Sequence, residues 1–414
     1  MPVQTELEQQ NTRTFQGRPV VTVEWQGEEV ESVQGMVAYR RTTPEPMSTD
    51  EAEHGLMVKV LGTTEPDPLG IGVIITDADL EVDHATSAVE KMSPDVLWTE
   101  PVLLDHGTVV PNDTYFVQQW NLADIHAEQA WDLWNGDPHK VIVAVLDTGI
   151  SIENGSLSHQ DLNDGNRFFL GRDLVNNDKD PSDDHGHGTH VAGIAAAITN
   201  NGTGVAGLWP GALLVLKVFN ASNDGSSVTF KDGILAAVKF ANEQGAHLII
   251  NYSGGGPDNQ TKKTAVEYAR DNEALIVAAA GNGFGGKIIF PAAYSEQYSN
   301  VLAIGAVDRQ HQRPSFASRG PEMTVVAPGV DILSSLPNYF VTLNSEGKQT
   351  KYDRLDGTSQ ATPLVSGLAA LVWSKWPHLS AAQVREKIAQ SANPIAGSAN
   401  DYGHGMIDAE AALS

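Results

Sequence analysis

From residue 141 onward, short unbroken apolar runs alternate with longer stretches whose apolar residues recur at helical spacing. The runs at 141–146, 213–218, 247–252, 274–280 and 301–307 have the length and continuity of strands buried on both faces. Between and after them, residues 191–199, 228–245, 261–272, 358–376 and 381–392 carry a period near 3.6 and predict helices. Alternation of this kind predicts an α/β fold: a mostly parallel sheet, flanked by helices and built from repeated βαβ units. In such sheets ligands sit outside the carboxyl ends of the strands, so chemistry is sought there.

The first hundred residues read differently. Residues 1–16 are polar and Gln-rich and predict a flexible tail. Residues 17–106 mix strand-like runs at 20–25, 35–40, 71–76 and 96–104 with one helix-like stretch at 83–92, which predicts a small α+β domain. The Pro- and Gly-bearing stretch 61–70 reads as a loop inside it. Charge supports a boundary near residue 107. Residues 1–110 hold 20 acidic and 6 basic side chains, so they carry −14 of the chain's formal −26.

A chain of 414 residues with 41% hydrophobic and 19% charged residues can bury a large core, so disorder over the whole length is excluded. A surface this acidic repels phosphate backbones and anionic lipid, and no nucleic-acid or membrane partner is expected. With no cysteine there is no disulfide, no thiolate catalysis and no Cys-ligated zinc. No apolar run approaches the ~18 residues of a membrane span. The opening residues lack a signal-peptide core, which leaves either a cytoplasmic protein or a leader removed before this sequence begins.

Three places put catalytically able side chains beside strand ends or helix starts. Asp147-Thr148-Gly149 directly follows the apolar run 141–146. A carboxylate there can accept a hydrogen bond from an imidazole, although Asp and Gly also end strands with no other role. Aspartic proteases share the D-T-G motif but need two carboxylates, and the sequence has no second copy. His185-Gly186-His187-Gly188-Thr189-His190-Val191-Ala192-Gly193 opens a helix of small residues. Its histidines, with Asp183 or Asp184, are also a candidate zinc cluster. Gly357-Thr358-Ser359-Gln360-Ala361-Thr362-Pro363 leads into a long apolar helix. Ser359 there meets the free N–H groups and positive end of that helix, or else serves only as a cap. Taken together, the three supply what a serine nucleophile requires: a hydroxyl, a general base, and a carboxylate to fix the base's tautomer.

In this order, D-T-G, H-G-T-H-V-A-G and G-T-S-x-A-T-P resemble the subtilisin-like serine proteases, or subtilases, and within them the thermitase-like members. The resemblance covers residues 107–414, including the closing text around Gly403–Leu413. It implies a catalytic domain over that span that hydrolyses peptide bonds in proteins through Asp147, His187 and Ser359 and an acyl-enzyme. Asn282, in Ala278-Ala279-Ala280-Gly281-Asn282, matches the family's oxyanion donor. Ser253-Gly254-Gly255-Gly256 and Gly225-Ser226-Ser227 look like the two edges between which substrate strands add. Ile289 falls near the floor of the primary specificity pocket, which implies a preference for medium-sized apolar side chains.

The resemblance also implies calcium, a hard cation bound by carboxylate and carbonyl oxygens. A strong site would use Asn201, the carbonyls of Ile198, Thr203 and Val205, and the carboxylates of Asp113 and Asp161. A second would use Asp173, Asn176, Asp178, Asp180 and Ser182, residues that read equally as an exposed acidic turn. Residues 17–106 would be a ferredoxin-like propeptide, an intramolecular inhibitor and folding aid of a self-processing zymogen. A secreted monomer acting on protein and peptide substrates follows from family habit. The family usually carries Met after its nucleophile, where this chain has Gln360. Two other classes stay open: a catalytically silent binding protein on the same scaffold, and a zinc hydrolase built on His185, His187 and His190.

Overall fold

The computed structural model describes residues 14–15, 18–25, 28–41, 60–63, 71–76, 96–103 and 110–414. The chain divides into two compact units, Met1–Gly107 and Thr108–Ser414.

In the first unit the described residues form a six-stranded antiparallel sheet. The long strand Glu28–Arg41 is its hub, pairing with Arg18–Trp25, Ile71–Thr76 and Val96–Leu103. Thr14–Phe15 pairs with Arg18–Trp25, so a strand begins inside the stretch expected to be a tail. Val60–Thr63 pairs with Ile71–Thr76, so the start of the expected loop 61–70 is strand. The expected helix at 83–92 lies outside the described residues.

The second unit is organised by a seven-stranded sheet. Its strands are β1 (Val141–Asp147), β2 (Phe168–Asp173), β3 (Ala212–Lys217), β4 (His247–Tyr252), β5 (Leu275–Ala279), β6 (Val301–Val307) and β7 (Val325–Pro328). They lie in the order β2-β3-β1-β4-β5-β6-β7, and every neighbouring pair is parallel. The sheet is mostly what the apolar runs predicted. Alternate residues of β1 enter two separate cores: Val141, Val143 and Val145 pack on one face, Ile142, Ala144 and Leu146 on the other. A strand buried on both faces has no polar alternation to show, which is why it reads as a continuous apolar run.

Helices cover both faces. On one lie α1 (His187–Ala196) and α4 (Thr358–Lys375), whose residues join the core of Val141 and Val143. On the other lie α2 (Ser227–Gln244) and α3 (Gln260–Asp271). α5 (Ala381–Gln390) packs near the end of α4. All but two residues of α4, Ser359 and Lys375, are buried, so this helix runs through the interior rather than along the surface. Sequence reading missed β2 and β7: β2 is half-exposed and interrupted by Gly171 and Arg172, and β7 has four residues ending in Pro328.

Candidate active site

Each expected catalytic position sits at the carboxyl edge of the sheet. Asp147 is the last residue of β1, the strand between β3 and β4, and its side chain is fully buried. His187 is the first residue of α1, after Gly186, whose φ of 107° requires glycine. His187 Nδ1 lies 2.7 Å from Asp147 Oδ1, which also accepts from the Thr148 N–H at 2.8 Å. Asp147 Oδ2 has no partner among the described residues.

This pair is held by a carboxylate that the sequence reading did not single out for this role. Asp183, fully buried, accepts five hydrogen bonds. Its Oδ1 takes the Thr148 hydroxyl at 2.8 Å and the N–H groups of His185 and Gly186 at 3.1 and 2.7 Å. Its Oδ2 takes the Thr189 N–H at 2.8 Å and the Thr189 hydroxyl at 2.6 Å. The Thr148 hydroxyl in turn accepts the Gly188 N–H at 2.8 Å. The turn after Asp147 and the first turn of α1 are thereby joined around one anion, at a helix N-terminus where negative charge is favoured.

The electrostatics follow. Burial alone would lower the pKa of His187, but the charge and hydrogen bond of Asp147, with the charge of Asp183, raise it above its ordinary value. Burial raises the Asp183 pKa less than the hydrogen bonds from Thr189, Gly186 and Thr148 lower it, so it stays ionised. His190, one turn along α1, is pushed down to about 3 by burial and by the neighbouring His187. It stays neutral, with Nε2 3.2 Å from the Asp353 carbonyl oxygen.

Ser359 is the second residue of α4. Pro363 lies inside the helix four residues later and has no N–H for the Ser359 carbonyl. That carbonyl accepts the Ser253 hydroxyl instead, at 2.9 Å. The Ser359 hydroxyl donates to the Ser253 carbonyl at 3.0 Å, and no hydrogen bond joins it to His187 among the described residues. Ser359 and the end of β4 are therefore tied in both directions.

Asn282, just beyond β5, accepts from the N–H and hydroxyl of Thr358 through Oδ1, both at 3.1 Å. This fixes the amide's orientation and turns Nδ2 away from Thr358. Gly357 has φ of 156°, and a Cβ there would sit 3.2 Å from Asn282 Nδ2 and 3.5 Å from the Ser359 nitrogen. The side chain missing at Gly357 leaves a small space that both N–H donors border. Gln360 Oε1 lies on the same space, 2.7 Å from that Cβ position.

The expected substrate-binding residues line one cleft of about 480 Å³ together with Ser359, Asn282 and Thr358. They are Gly225, Ser226, Ser227, Ser253, Gly254, Gly255, Gly256 and Ile289. Side chains at Gly254 and Gly255 would run into Phe219 and Ile289, so the glycines keep the cleft open. One expectation changes in detail. Ser226 caps α2 through Thr229 and Ser227 is already helical, so extended backbone on that side ends at Ser226. Phe219, Asn259 and Lys262 also line the cleft and were not expected there.

The zinc alternative has no geometric basis. His187 faces Asp147, His185 Nδ1 accepts the His187 N–H at 3.3 Å, and His190 faces a carbonyl. Among the described residues, the one group of three metal-capable side chains is His126, Asp408 and Glu410, remote in sequence from all three histidines.

The sequence profile of the subtilase family matches residues 138–405, well over half of the chain. The chain belongs to the subtilase family. Among relatives of this subtilase, a thermophilic serine proteinase of Bacillus sp. (strain AK1) is 35% identical over 339 residues, covering 81% of this chain and 77% of the relative. Thermitase of Thermoactinomyces vulgaris is 36% identical over 305 residues, covering 73% and 99%. A solved protease of Pseudoalteromonas arctica PAMC 21717 is similar in fold, with a TM-score of 0.64 at 28% identity, covering 74% of this chain and 99% of that one. This subtilase is accordingly a thermitase-like, subtilisin-like serine endopeptidase, a hydrolase.

Proposed function

We propose that this subtilase cleaves proteins through Ser359, activated by His187 and Asp147, and that it is made as a self-processing zymogen. The observation that carries the reading is the 2.7 Å contact between His187 Nδ1 and a fully buried Asp147 carboxylate, at the sheet edge where Ser359 opens α4. The Ser359 hydroxyl leaves the Ser253 carbonyl and attacks the scissile carbonyl carbon, while His187 takes its proton. Asp147 holds the imidazole in the needed tautomer and stabilises its charged form. The oxyanion enters the space beside Gly357, where Asn282 Nδ2 and the Ser359 N–H donate to it. Collapse breaks the peptide bond, with His187 giving its proton to the leaving amine. Water, deprotonated by the same imidazole, then hydrolyses the acyl-enzyme and frees Ser359.

Calcium fits the first set of expected ligands. Asp113 and Asp161 are buried, and no lysine or arginine pairs with either among the described residues. Both reach the loop 200–205: Asp113 accepts the Asn200 N–H at 2.8 Å, and Asp161 accepts from Asn201, Thr203, Val205 and Tyr352 at 2.9–3.1 Å. The Asn201 amide oxygen accepts the Thr203 N–H at 2.8 Å, so a bound cation would share these oxygens with the loop's own donors. Two buried carboxylates, an amide oxygen and the carbonyls of Ile198, Thr203 and Val205 make an all-oxygen set suited to a hard cation. Its contribution would be charge neutralisation and a fixed loop. The second set fits poorly. Asn176, Asp178 and Asp180 are exposed, and the Ser182 carbonyl is already taken by a cation, accepting Lys217 Nζ at 3.1 Å.

Residues 17–106 are read as the propeptide, removed near 105–112. Secretion is the compartment proposed, in keeping with a relative described as an extracellular halolysin-like serine protease of Natrialba magadii. Among the described residues no helix is long and apolar enough to cross a membrane. The test compares wild type with Ser359→Ala, incubated with calcium and followed by intact mass and casein digestion. Loss of about 105–112 residues with casein cleavage, in the wild type alone, is expected for a self-processing protease. If both chains stay whole and casein survives, the catalytically silent scaffold replaces this reading.

A further inference from the structure

We propose that Lys262 makes the substrate cleft a receptor for a carboxylate side chain, so that this endopeptidase favours peptides with Asp or Glu within a few residues of the scissile bond. The inference rests on the reading of Ser359 as nucleophile, since it is the shared cleft that links the two residues.

Lys262 is the third residue of α3, and its N–H is capped by Asn259 Oδ1 at 2.9 Å. Its side chain lines the cleft that holds Ser253, Asn282 and Ser359. A Cβ on Gly256 would lie 3.1 Å from Lys262 Nζ, which places the ammonium against the glycine edge. The residue is 5% exposed. Among the described residues its one acceptor is the Pro257 carbonyl at 3.1 Å, and no carboxylate lies in ion-pair range. Asp258 is the nearby acid, but its carboxylate takes the Tyr294 hydroxyl. An ammonium has three donors, so two are left without a protein partner.

Several effects oppose a cation at this spot. Burial disfavours the charged form and lowers the Lys262 pKa, with Asp258 only partly opposing it. The position is also the first turn of a twelve-residue helix, where the macrodipole repels positive charge. Inside the protein the Asp258 charge and the Pro257 carbonyl offset these costs only in part, whereas a ligand carboxylate would supply the missing acceptor and counter-charge together. Asp224 is the other charged residue lining the cleft, and it is exposed.

The glycine edge says where that carboxylate would come from. Ser253 is tied to Ser359 in both directions, and Gly256 lies three residues on, about 10 Å along an extended strand. A peptide lying along this edge with its scissile bond at Ser359 brings a side chain a few residues away to Lys262.

The test uses quenched fluorescent peptides differing only by Glu or Gln, scanned over four positions on the acyl side, each with free and amidated C-termini. At one position Glu is expected to exceed Gln in kcat/KM by about tenfold, the factor equivalent to 1.4 kcal/mol. Lys262→Met should bring that ratio to near one, and Lys262→Glu should favour a lysine peptide over its glutamine twin. Equal cleavage of Glu and Gln peptides at every position by the wild type overturns the inference and leaves the endopeptidase intact. A preference that follows only the free C-terminus overturns the side-chain assignment. A wild type that cleaves none of the peptides overturns both readings. The wild-type ratio alone decides the matter should a variant fail to fold.

Discussion

Replacing Asp183 with asparagine should both destabilise the enzyme and shift its pH profile. Its five hydrogen bonds are divided between the two oxygens, three on Oδ1 and two on Oδ2. Asparagine keeps an acceptor for the first three but turns an NH2 group toward Thr189. The Thr189 hydroxyl can rotate and accept, but its backbone N–H cannot, so one buried donor loses its partner. Bonds to a charged group contribute about 1.5–3 kcal/mol and neutral ones about 0.5–1.5 kcal/mol. One bond lost and several weakened sum to about 3–5 kcal/mol, or about 6–10 °C in Tm at roughly 2 °C per kcal/mol for a domain of this size. The comparison belongs in a Ser359→Ala background, where self-digestion is absent. Because Asp183 has a lowered pKa when folded, its contribution is present above the unfolded carboxylate value of about 3.9 and lost as pH falls through the folded one. The Tm gap should therefore be full at pH 7 and narrow below about pH 4. In the active enzyme, Asp183 helps Asp147 raise the pKa of His187 against burial. Since the base must be neutral to act, the acidic limb of kcat/KM should have its midpoint above about 6.5 in the wild type and move down in Asp183→Asn. A Tm within 1 °C of the parent at pH 7, with an unmoved limb, would refute this account of Asp183, since an idle carboxylate predicts both.

Other predictions are shorter. Asn282→Ala should lower kcat by about 10²–10³ with little change in KM, the loss that removing one oxyanion donor costs subtilisin. An unchanged kcat would remove Asn282 from the oxyanion site. Chelation with EDTA should lower Tm, because a cation bound only by the folded state stabilises it by mass action, and added calcium should restore it. Asp161→Asn should abolish that response, and a Tm indifferent to EDTA would dismiss calcium. With Gln360 after the proposed nucleophile, the buried residue next to Ser359 has no sulfur to oxidise, and the enzyme should keep its activity in dilute peroxide. Gln360→Met should introduce a rapid loss, and equal loss in both proteins would count against the idea.

How much of this was legible from residues alone depended on whether a feature is local. The five apolar runs all became strands of the parallel sheet, because burial on both faces leaves a signal needing no tertiary knowledge. The motifs around Asp147, His187, Ser359 and Asn282 were visible because glycines and helix starts mark them in the chain. Asp183 was missed as a positioning residue because its partners come from the turn after β1 and from α1, and a carboxylate four residues before a histidine carries no marker. Lys262 sits in an amphipathic helix with another lysine beside it, where solvent exposure is the ordinary reading. Only the fold turns it into the cleft. The capping role of Ser226 was local and readable from Thr229 three residues on, but the resemblance to a substrate edge took precedence.

The most direct test of the central claim is covalent labelling by a serine-directed fluorophosphonate, mapped by peptide mass. The nucleophile proposed here should take up one label per active molecule, on Ser359, with loss of proteolysis in step with labelling. Ser359→Ala should take none, and His187→Ala should label far more slowly, because the hydroxyl then lacks its base. Label on another residue, or a fully active enzyme that takes up none, would contradict the assignment of Ser359 and the mechanism built on it.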